Sequence, residues 1–323
     1  MKILNISLDN KIFDEGSALR ERMLDYANLV DKYTVVVPLA GAGENKEVVA
    51  GDKLKIIGVP SKNKIAALFD MHNFLGKLIA KEKPDVITVQ DQYYIAAVCL
   101  KLARKYNIGL EIQNHGFEKF KGLRKSVFKY VIKRANSVRT VSQRLKKRLS
   151  EEFGVREEKI TVVPIYVDAK KERLNEEKIK NFSTPPTLPL SEGEEHGKRF
   201  IFLTVGRLVP VKNIEMQIAA MQRVARECQN AVLWIVGDGP EYQNSKFKIK
   251  NSKLEDKIIL HGWQKDVGRY YGQASVFLLT SHAEAWPLVV IEAASYGLPM
   301  ILTDTGSAGE FIINNENGIV IPV

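Results

Sequence analysis

Residues 200–213 read FIFLTVGRLVPVKN, and the order of residue types in this stretch decides the fold. The run from Phe200 to Val205 is apolar except for Thr204 and too short for a helix, so it reads as a buried strand. Gly206 permits a tight turn, and Arg207 and Lys212 then project from the carboxyl end of that strand. From Asn213 to Cys228 the apolar residues recur at three- and four-residue spacing, which predicts a helix over 213–228. A buried strand, a short loop and a covering helix form the repeating unit of a parallel sheet with helices on both faces.

The same unit repeats in both directions. After residue 228 the sequence predicts strands at 231–236, 257–261, 275–280, 299–303 and 318–321, with helices at 240–251, 266–273 and 287–297. Before it, strands are expected at 2–7, 33–38, 54–59, 85–89, 109–113, 137–141 and 160–164, with helices at 17–30, 65–82, 93–106, 121–135 and 142–153. Residues 169–198, with KKER, TPPTLP and SEGEEHGKR, interrupt the alternation and read as an exposed linker or insertion. The expected architecture is α/β: an N-terminal Rossmann-like domain over 1–168, the linker 169–198, and a C-terminal Rossmann-like domain over 199–323. Ligands of such sheets bind outside the carboxyl ends of the strands, and the default site is the cleft between the two domains. Val323 ends the chain on a strand with no covering helix, so the C-terminal domain reads as shortened.

A length of 323 residues suits two domains at roughly 100–200 residues each. Two cysteines exclude a disulfide scaffold and suit a reducing, cytoplasmic setting. No apolar run reaches the roughly 18 residues of a membrane span. The N-terminus, MKILNISLDN, reads as a first strand and not as a signal peptide. The net charge of +10 is unevenly placed: residues 1–168 hold 30 Lys and Arg against 20 Asp and Glu, whereas 199–323 hold 12 of each. Residues 119–148 contain twelve basic residues and no acid, which points to an anionic partner for that face.

Several residue groups can carry chemistry. Arg207 and Lys212 stand where a diphosphate would sit, Arg as a two-donor clamp and Lys as a mobile charge; the plainer alternative is two solvated cations. In the segment Glu284-Ala285-Trp286-Pro287-Leu288-Val289-Val290-Ile291-Glu292, Pro287 suits a first helical turn. That puts Glu284 in a loop and Glu292 inside a helix, where it can take both hydroxyls of a ribose or serve as an ion-pair partner. The N–H groups of Leu288 and Val289 suit a phosphate or sugar oxygen, while Trp286 can be either core or part of the site. His115, in Asn114-His115-Gly116 at a strand end, can bond a sugar hydroxyl or hold the strand end itself. Gly237-Asp238-Gly239-Pro240 reads as a tight turn, and Gly306-Ser307-Ala308-Gly309-Glu310 as a small-residue loop near the cleft, with Glu310 placed to stabilise the start of a following helix. There is no phosphate-binding G-x-x-x-x-G-K-[ST] loop, no G-x-G-x-x-G after the first strand, no Asp-x-Asp, and no metal-ligand spacing among the His and Cys residues.

The order of these pieces resembles the retaining nucleotide-sugar glycosyltransferases of GT-B fold, family four: His after an N-domain strand, Gly-Arg-x5-Asn enclosing Lys212, GDGP, Glu-x7-Glu, then a Gly-Ser loop ending in Glu. The resemblance is densest over 200–322, clear over 109–168 and weakest over 1–60. It implies that Arg207 and Lys212 bind the donor diphosphate and that Glu292 holds the ribose. Glu284 contacts the donor sugar, His115 faces that sugar from the other domain, and Trp286, Leu288 and Val289 complete the donor contacts. The reaction implied is hexose transfer from a UDP- or GDP-sugar with retention, without metal or cofactor, to a glycan or lipid-linked acceptor in cell-envelope synthesis. Where the family often has two glycines after the first strand, only Gly16 is present, in Asp14-Glu15-Gly16-Ser17, and the two acids repel a diphosphate. The Asn-Gly expected before Val-Asp reads Ile165-Tyr166, and the closing helices the family carries do not follow Val323. A nucleotide- or membrane-binding protein with impaired turnover is therefore the alternative.

In the basic stretch, Phe120, Leu123, Val127, Phe128, Val131 and Ile132 recur at helical spacing among Lys119, Lys121, Arg124, Lys125, Lys129, Lys133 and Arg134. The apolar side reads as core. The basic side can dock on an anionic membrane surface, placing the protein peripherally on the inner face of a membrane. Nucleic acid is the rival partner, but no aromatic stacking series or nucleic-acid motif accompanies the charge.

Overall fold

The computed structural model describes residues 1–41, 46–90, 93–116, 122–165 and 199–323. The expected linker 169–198 lies outside the described residues, as do Lys119, Phe120 and Lys121. The chain divides into two compact units, Met1–Val163 and Pro164–Val323.

The first unit holds strands β1 (Lys2–Ile6), β2 (Lys32–Ala40), β3 (Lys46–Ala50), β4 (Leu54–Ser61), β5 (Val86–Val89), β6 (Gly109–Asn114), β7 (Ser137–Thr140) and β8 (Ile160–Val162) in one sheet, ordered β3-β4-β2-β1-β5-β6-β7-β8. Every pairing is parallel except β3 with β4. Helices α1 (Ala18–Asn28), α2 (Ala66–Glu82), α3 (Tyr94–Tyr106), α4 (Gly122–Arg134) and α5 (Gln143–Glu151) connect them. Period-two alternation sends successive side chains of one strand to opposite cores. Val35 and Val37 pack with Met23 and Ala27 of α1, while Val36 packs with Met71 and Leu75 of α2 and Cys99 of α3.

The second unit is a six-stranded parallel sheet of β9 (Phe200–Val205), β10 (Ala231–Val236), β11 (Ile258–Gly262), β12 (Val276–Leu279), β13 (Met300–Thr303) and β14 (Ile319–Ile321), ordered β11-β10-β9-β12-β13-β14. Its helices are α6 (Ile214–Glu227), α7 (Tyr242–Asn251), α8 (Gly268–Tyr271) and α9 (Leu288–Ser295). All six residues of β10 are buried. Val232, Trp234 and Val236 face one core, and Ala231, Leu233 and Ile235 face the other. Two doubly wound sheets are thus observed, as the alternation predicts.

The differences are local. The antiparallel edge strand β3 was not expected: KEVVA is short, charged at its start, and leaves Val49 exposed, which is how an edge strand looks in sequence. Pro287 caps α9 from outside its first turn rather than lying within it. No helix follows Glu310; that segment forms turns held by the bridges Ala308–Ile312 and Asn314–Gly318, so there is no following helix for Glu310 to stabilise.

Candidate functional site

In the second sheet β10 and β11 lie on one side of β9, and β12, β13 and β14 lie on the other. The order of the strands therefore reverses between β9 and β12, and open parallel sheets bind ligands in the crevice beyond the carboxyl ends of strands at such a point. The loops carrying most of the expected site residues leave from here: 206–213 after β9, 280–287 after β12, and 304–310 after β13.

Buried polar groups fasten these loops together. The hydroxyl of Thr280 reaches the carbonyl oxygens of Lys212 (3.2 Å) and Asn213 (3.1 Å) and accepts from Gln217 Nε2 at 2.9 Å, while Gln217 Nε2 also lies 3.3 Å from Thr204 Oγ1. His282 N–H donates to the Val211 carbonyl at 2.8 Å. Thr303 Oγ1 donates to the Ser281 carbonyl at 2.6 Å. Gln217, Thr280 and Thr303 are all buried, so these bonds form in a low-dielectric setting and hold the Pro210–Lys212 turn on the end of β12. Gly237 fits the same design: a Cβ there would lie 1.9 Å from the Gly206 carbonyl oxygen, so only glycine lets the turn after β10 cross the turn after β9.

Lys212 and Glu284 are brought together. Lys212 Nζ lies 2.5 Å from Glu284 Oε1, and Ser281 Oγ donates to the same oxygen at 2.6 Å. Both side chains are largely buried, so the carboxylate is held by two donors in one orientation. Arg207 is exposed and has no acidic partner among the described residues. Among the described Arg and Lys residues of these three loops, it is the one exposed to solvent.

Glu292 sits on α9, half-buried, and accepts from the Tyr271 hydroxyl at 2.9 Å. Tyr271 is itself buried and stacks on Tyr296, ring centroids 5.4 Å apart. The helix begins at Leu288, and as first-turn groups the N–H of Leu288 and of Val289 have no acceptor inside it. The Trp286 ring packs 6.4 Å from Phe311, and its buried Nε1 has no hydrogen-bond partner among the described residues. The loop after β13 closes over this segment: a Cβ on Gly306 would lie 2.7 Å from Glu284 Cβ and 2.8 Å from Pro287 Cδ. Glu284, Trp286, Leu288, Val289 and Glu292 are therefore on one continuous segment packed against the Lys212 turn.

His115 and Gly16 belong to the first unit. His115 follows β6, and its Nε2 lies 3.1 Å from Gln113 Oε1. Burial of part of the ring, with Arg139 and Arg22 nearby, pushes its pKa down to about 4, so the imidazole is neutral at pH 7. Gly16 is exposed between the Asn10–Phe13 turn and α1, beside the exposed Asp14 and Glu15.

The basic helix α4 is amphipathic, with Phe128, Val131 and Ile132 fully buried. Leu123 departs from the expected core face and is 70% exposed, as is Tyr130 at 49%. Part of the positive charge is also neutralised: Lys125 and Arg148 both pair with Glu152, at 3.2 and 2.8 Å, and Lys147 pairs with Glu151. These acids lie just beyond the acid-free stretch, so its field is smaller than the local count implies.

Two open sheets, parallel except at the β3 edge of the first, with loops beyond the carboxyl ends of their strands, suit the architecture of a GT-B glycosyltransferase. Comparison with known proteins agrees. The family described as glycosyl transferases group 1 matches residues 190–323, and the one described as glycosyltransferase family 4 matches residues 27–171. An uncharacterized glycosyltransferase of Methanocaldococcus jannaschii is 28% identical over 286 residues, spanning 83% of this chain and 68% of that protein. The Escherichia coli UDP-Gal:alpha-D-GlcNAc-diphosphoundecaprenol alpha-1,3-galactosyltransferase is 26% identical over 287 residues, spanning 84% of this chain and 71% of that enzyme. The crystal structure of Anabaena HepE in complex with UDP superposes with a TM-score of 0.72 at 17% identity, covering 100% of this chain and 86% of that one. The chain belongs to the GT-B glycosyltransferases.

The sequence reading missed the partners that hold these residues: Tyr271 beneath Glu292, Ser281 beside Glu284, and Gln113 behind His115. Ser281 lies three residues before Glu284 and was the accessible signal. Tyr271 and Glu292 are on different elements, and no local spacing announces their meeting.

Proposed function

We propose that this protein transfers a hexose, with retention, from a UDP- or GDP-linked donor to a hydroxyl of a glycan or lipid-linked acceptor in cell-envelope synthesis. The observation that carries this reading is Arg207, an exposed guanidinium without an acidic partner among the described residues, beside the fixed Lys212–Glu284 pair at the switch point of the second sheet. A nucleoside diphosphate supplies the missing anion. Its arrival lets Lys212 share its charge between Glu284 and a phosphate oxygen, and Leu288 and Val289 offer two N–H donors to the sugar or phosphate. Glu292, braced by Tyr271, is assigned to the ribose hydroxyls, Glu284 to hydroxyls of the sugar, and His115 to the same sugar. Gly16, flanked by Asp14 and Glu15, is left with at most a backbone contact to the donor.

In the step proposed, the bond between the anomeric carbon and the phosphate oxygen breaks and a bond from the acceptor oxygen forms on the same face. The acceptor hydroxyl proton passes to the leaving diphosphate. Arg207 and Lys212 stabilise the charge developing on that diphosphate, and this fixed electrostatic complement is the main source of rate enhancement. The relatives support the donor class: the E. coli enzyme is described as using UDP-Gal, and HepE was crystallised with UDP.

The exposed Leu123 and Tyr130 among Arg124, Lys129, Lys133 and Arg134 support a lipid-linked acceptor reached from an anionic membrane surface. No helix among the described residues is long and apolar enough to cross a membrane. The test is a panel of UDP- and GDP-sugars, with and without EDTA, read by thermal shift and then by mass of the nucleotide released. Stabilisation by one nucleotide class that survives EDTA is expected; no stabilisation by any of them rejects the proposal.

A further inference from the structure

The first unit contains a line of hydrogen bonds, buried at its centre and ending at the exposed His115, and the chemistry of its far end fixes the direction of every bond in it. Glu111 Oε1 accepts from Thr88 Oγ1 at 2.7 Å. An ionised carboxylate can only accept, so the single hydroxyl proton of Thr88 is committed to Glu111. Thr88 Oγ1 must then accept from its other neighbour, Gln113, at 2.6 Å, which places the Gln113 amide nitrogen toward Thr88. The Gln113 carbonyl oxygen is left facing His115 Nε2 at 3.1 Å, and that nitrogen must donate. Thr88 and Gln113 are 5% and 2% exposed, so water does not offer them substitute partners. Arg139 Nε lies 3.8 Å from Glu111 Oε1 and keeps a positive charge beside the carboxylate.

We propose that Glu111, Thr88 and Gln113 are positioning residues that hold His115 as its Nε2–H tautomer, so that Nδ1 presents a lone pair to a sugar hydroxyl. His115 then acts as an acceptor toward the sugar, not as a donor to a phosphate or carbonyl oxygen, and it selects a partner with an O–H group. The role toward sugar rests on the function proposed above; the tautomer does not. At neutral pH the ring is uncharged, because partial burial of the ring and the guanidinium groups of Arg139 and Arg22 oppose protonation. A neutral imidazole must choose one tautomer, and the relay makes the choice.

The test is NMR of the ring nitrogens in the full chain labelled with 15N-histidine, with the His115 signals assigned through His115→Asn. The result expected at pH 7 is a protonated Nε2 and an unprotonated Nδ1. Thr88→Val keeps the side-chain shape but cuts the relay, and both tautomers should then be seen. Thr88→Ser restores the hydroxyl and should return the single tautomer. Glu111→Gln puts a group that can donate at the origin of the relay, allowing the reversed orientation, and an Nδ1–H population should appear. An Nδ1–H ring or an even mixture in the parent, or an unchanged single tautomer in Thr88→Val, overturns the proposal. In transfer assays Thr88→Val should lower kcat/KM about 10-fold, roughly the loss of one hydrogen bond, with nucleotide affinity unchanged. If the tautomer is as stated but His115→Ala transfers sugar at the parental rate, the relay stands and the assignment of His115 to the sugar fails.

Discussion

Arg207 and Lys212 leave the same loop but meet different surroundings. Lys212 is tied to Glu284, while Arg207 faces solvent. The two substitutions should therefore behave differently. Arg207→Ala should weaken UDP or GDP binding about 10- to 100-fold, the range for losing hydrogen bonds to a charged group, and Arg207→Lys should recover only part, because an ammonium cannot grip a phosphate with two donors. Lys212→Ala removes one of the two donors that the Glu284 carboxylate has among the described residues. It should cost stability as well as binding, visible as a lowered Tm without any ligand. At the ribose, Glu292→Ala should weaken nucleotide binding by about 1–3 kcal/mol, and Tyr271→Phe by the smaller ~0.5–1.5 kcal/mol, because it removes a hydrogen bond that orients the carboxylate and not one made to the nucleotide. Calorimetric titration of each variant separates the two. Equal losses would show that Tyr271 does more than brace the carboxylate.

Among the elements, the carboxyl ends of the strands hold the informative groups. At the end of β11, His261 packs edge-on against Trp234 and Tyr270, with ring centroids 5.3 and 4.8 Å away. Burial, and then the nearby Arg269, push its pKa down to about 4. Unfolded histidine titrates near 6.5, so the unfolded chain takes up this proton first as the pH falls. The stability contributed by the neutral ring is fully present above pH 6.5 and is lost as the pH drops towards 4. Denaturant unfolding at several pH values should show this slope in the parent and a shallower one in His261→Phe; identical slopes would contradict it. The loop after β13 gives a steric test. Gly306→Ala should disturb the Glu284–Pro287 segment and reduce nucleotide binding, because its new methyl group meets Glu284 and Pro287 at under 3 Å and its φ is +58°.

Elements of this kind differ in how plainly sequence announces them. Strands such as AVLWIV and FIFLTV are buried on both faces and read directly as apolar runs, so both sheets were legible. The edge strand β3 was not, because half-exposed, charged pentapeptides look like loop. In the site, Arg207, Lys212, Glu284 and Glu292 were legible because they flank strand ends and helix starts in a recognisable order. The pairing of Lys212 with Glu284, the bracing of Glu292 by Tyr271 and the relay behind His115 were not. The first two, and the links of the relay through Thr88, join residues far apart in sequence, and only the fold brings them within bonding distance. Leu123 shows the opposite failure: helical spacing marks it as core, yet α4 buries only the face around Phe128, Val131 and Ile132.

At the scale of the whole molecule, charge and chemistry separate along the chain. The excess of +10 belongs to residues 1–168, whereas residues 199–323, which carry the proposed donor site, are balanced. Binding to vesicles containing anionic lipid should therefore weaken steeply with added salt, while nucleotide binding, a local matter of Arg207 and Lys212, should weaken far less. Lys129→Glu with Arg134→Glu should reduce vesicle co-sedimentation and leave nucleotide affinity intact. Loss of both together would mean that the two functions are not separable in this way. The most direct check on the central claim is calorimetric titration of the chain with UDP and with GDP in the presence of EDTA, alongside Arg207→Ala. Saturable binding of one nucleotide by the parent, weakened at least about tenfold in the variant, is the predicted result. Absence of binding to both nucleotides, or equal affinity in parent and variant, would contradict the assignment of the crevice between β9 and β12 as the donor site.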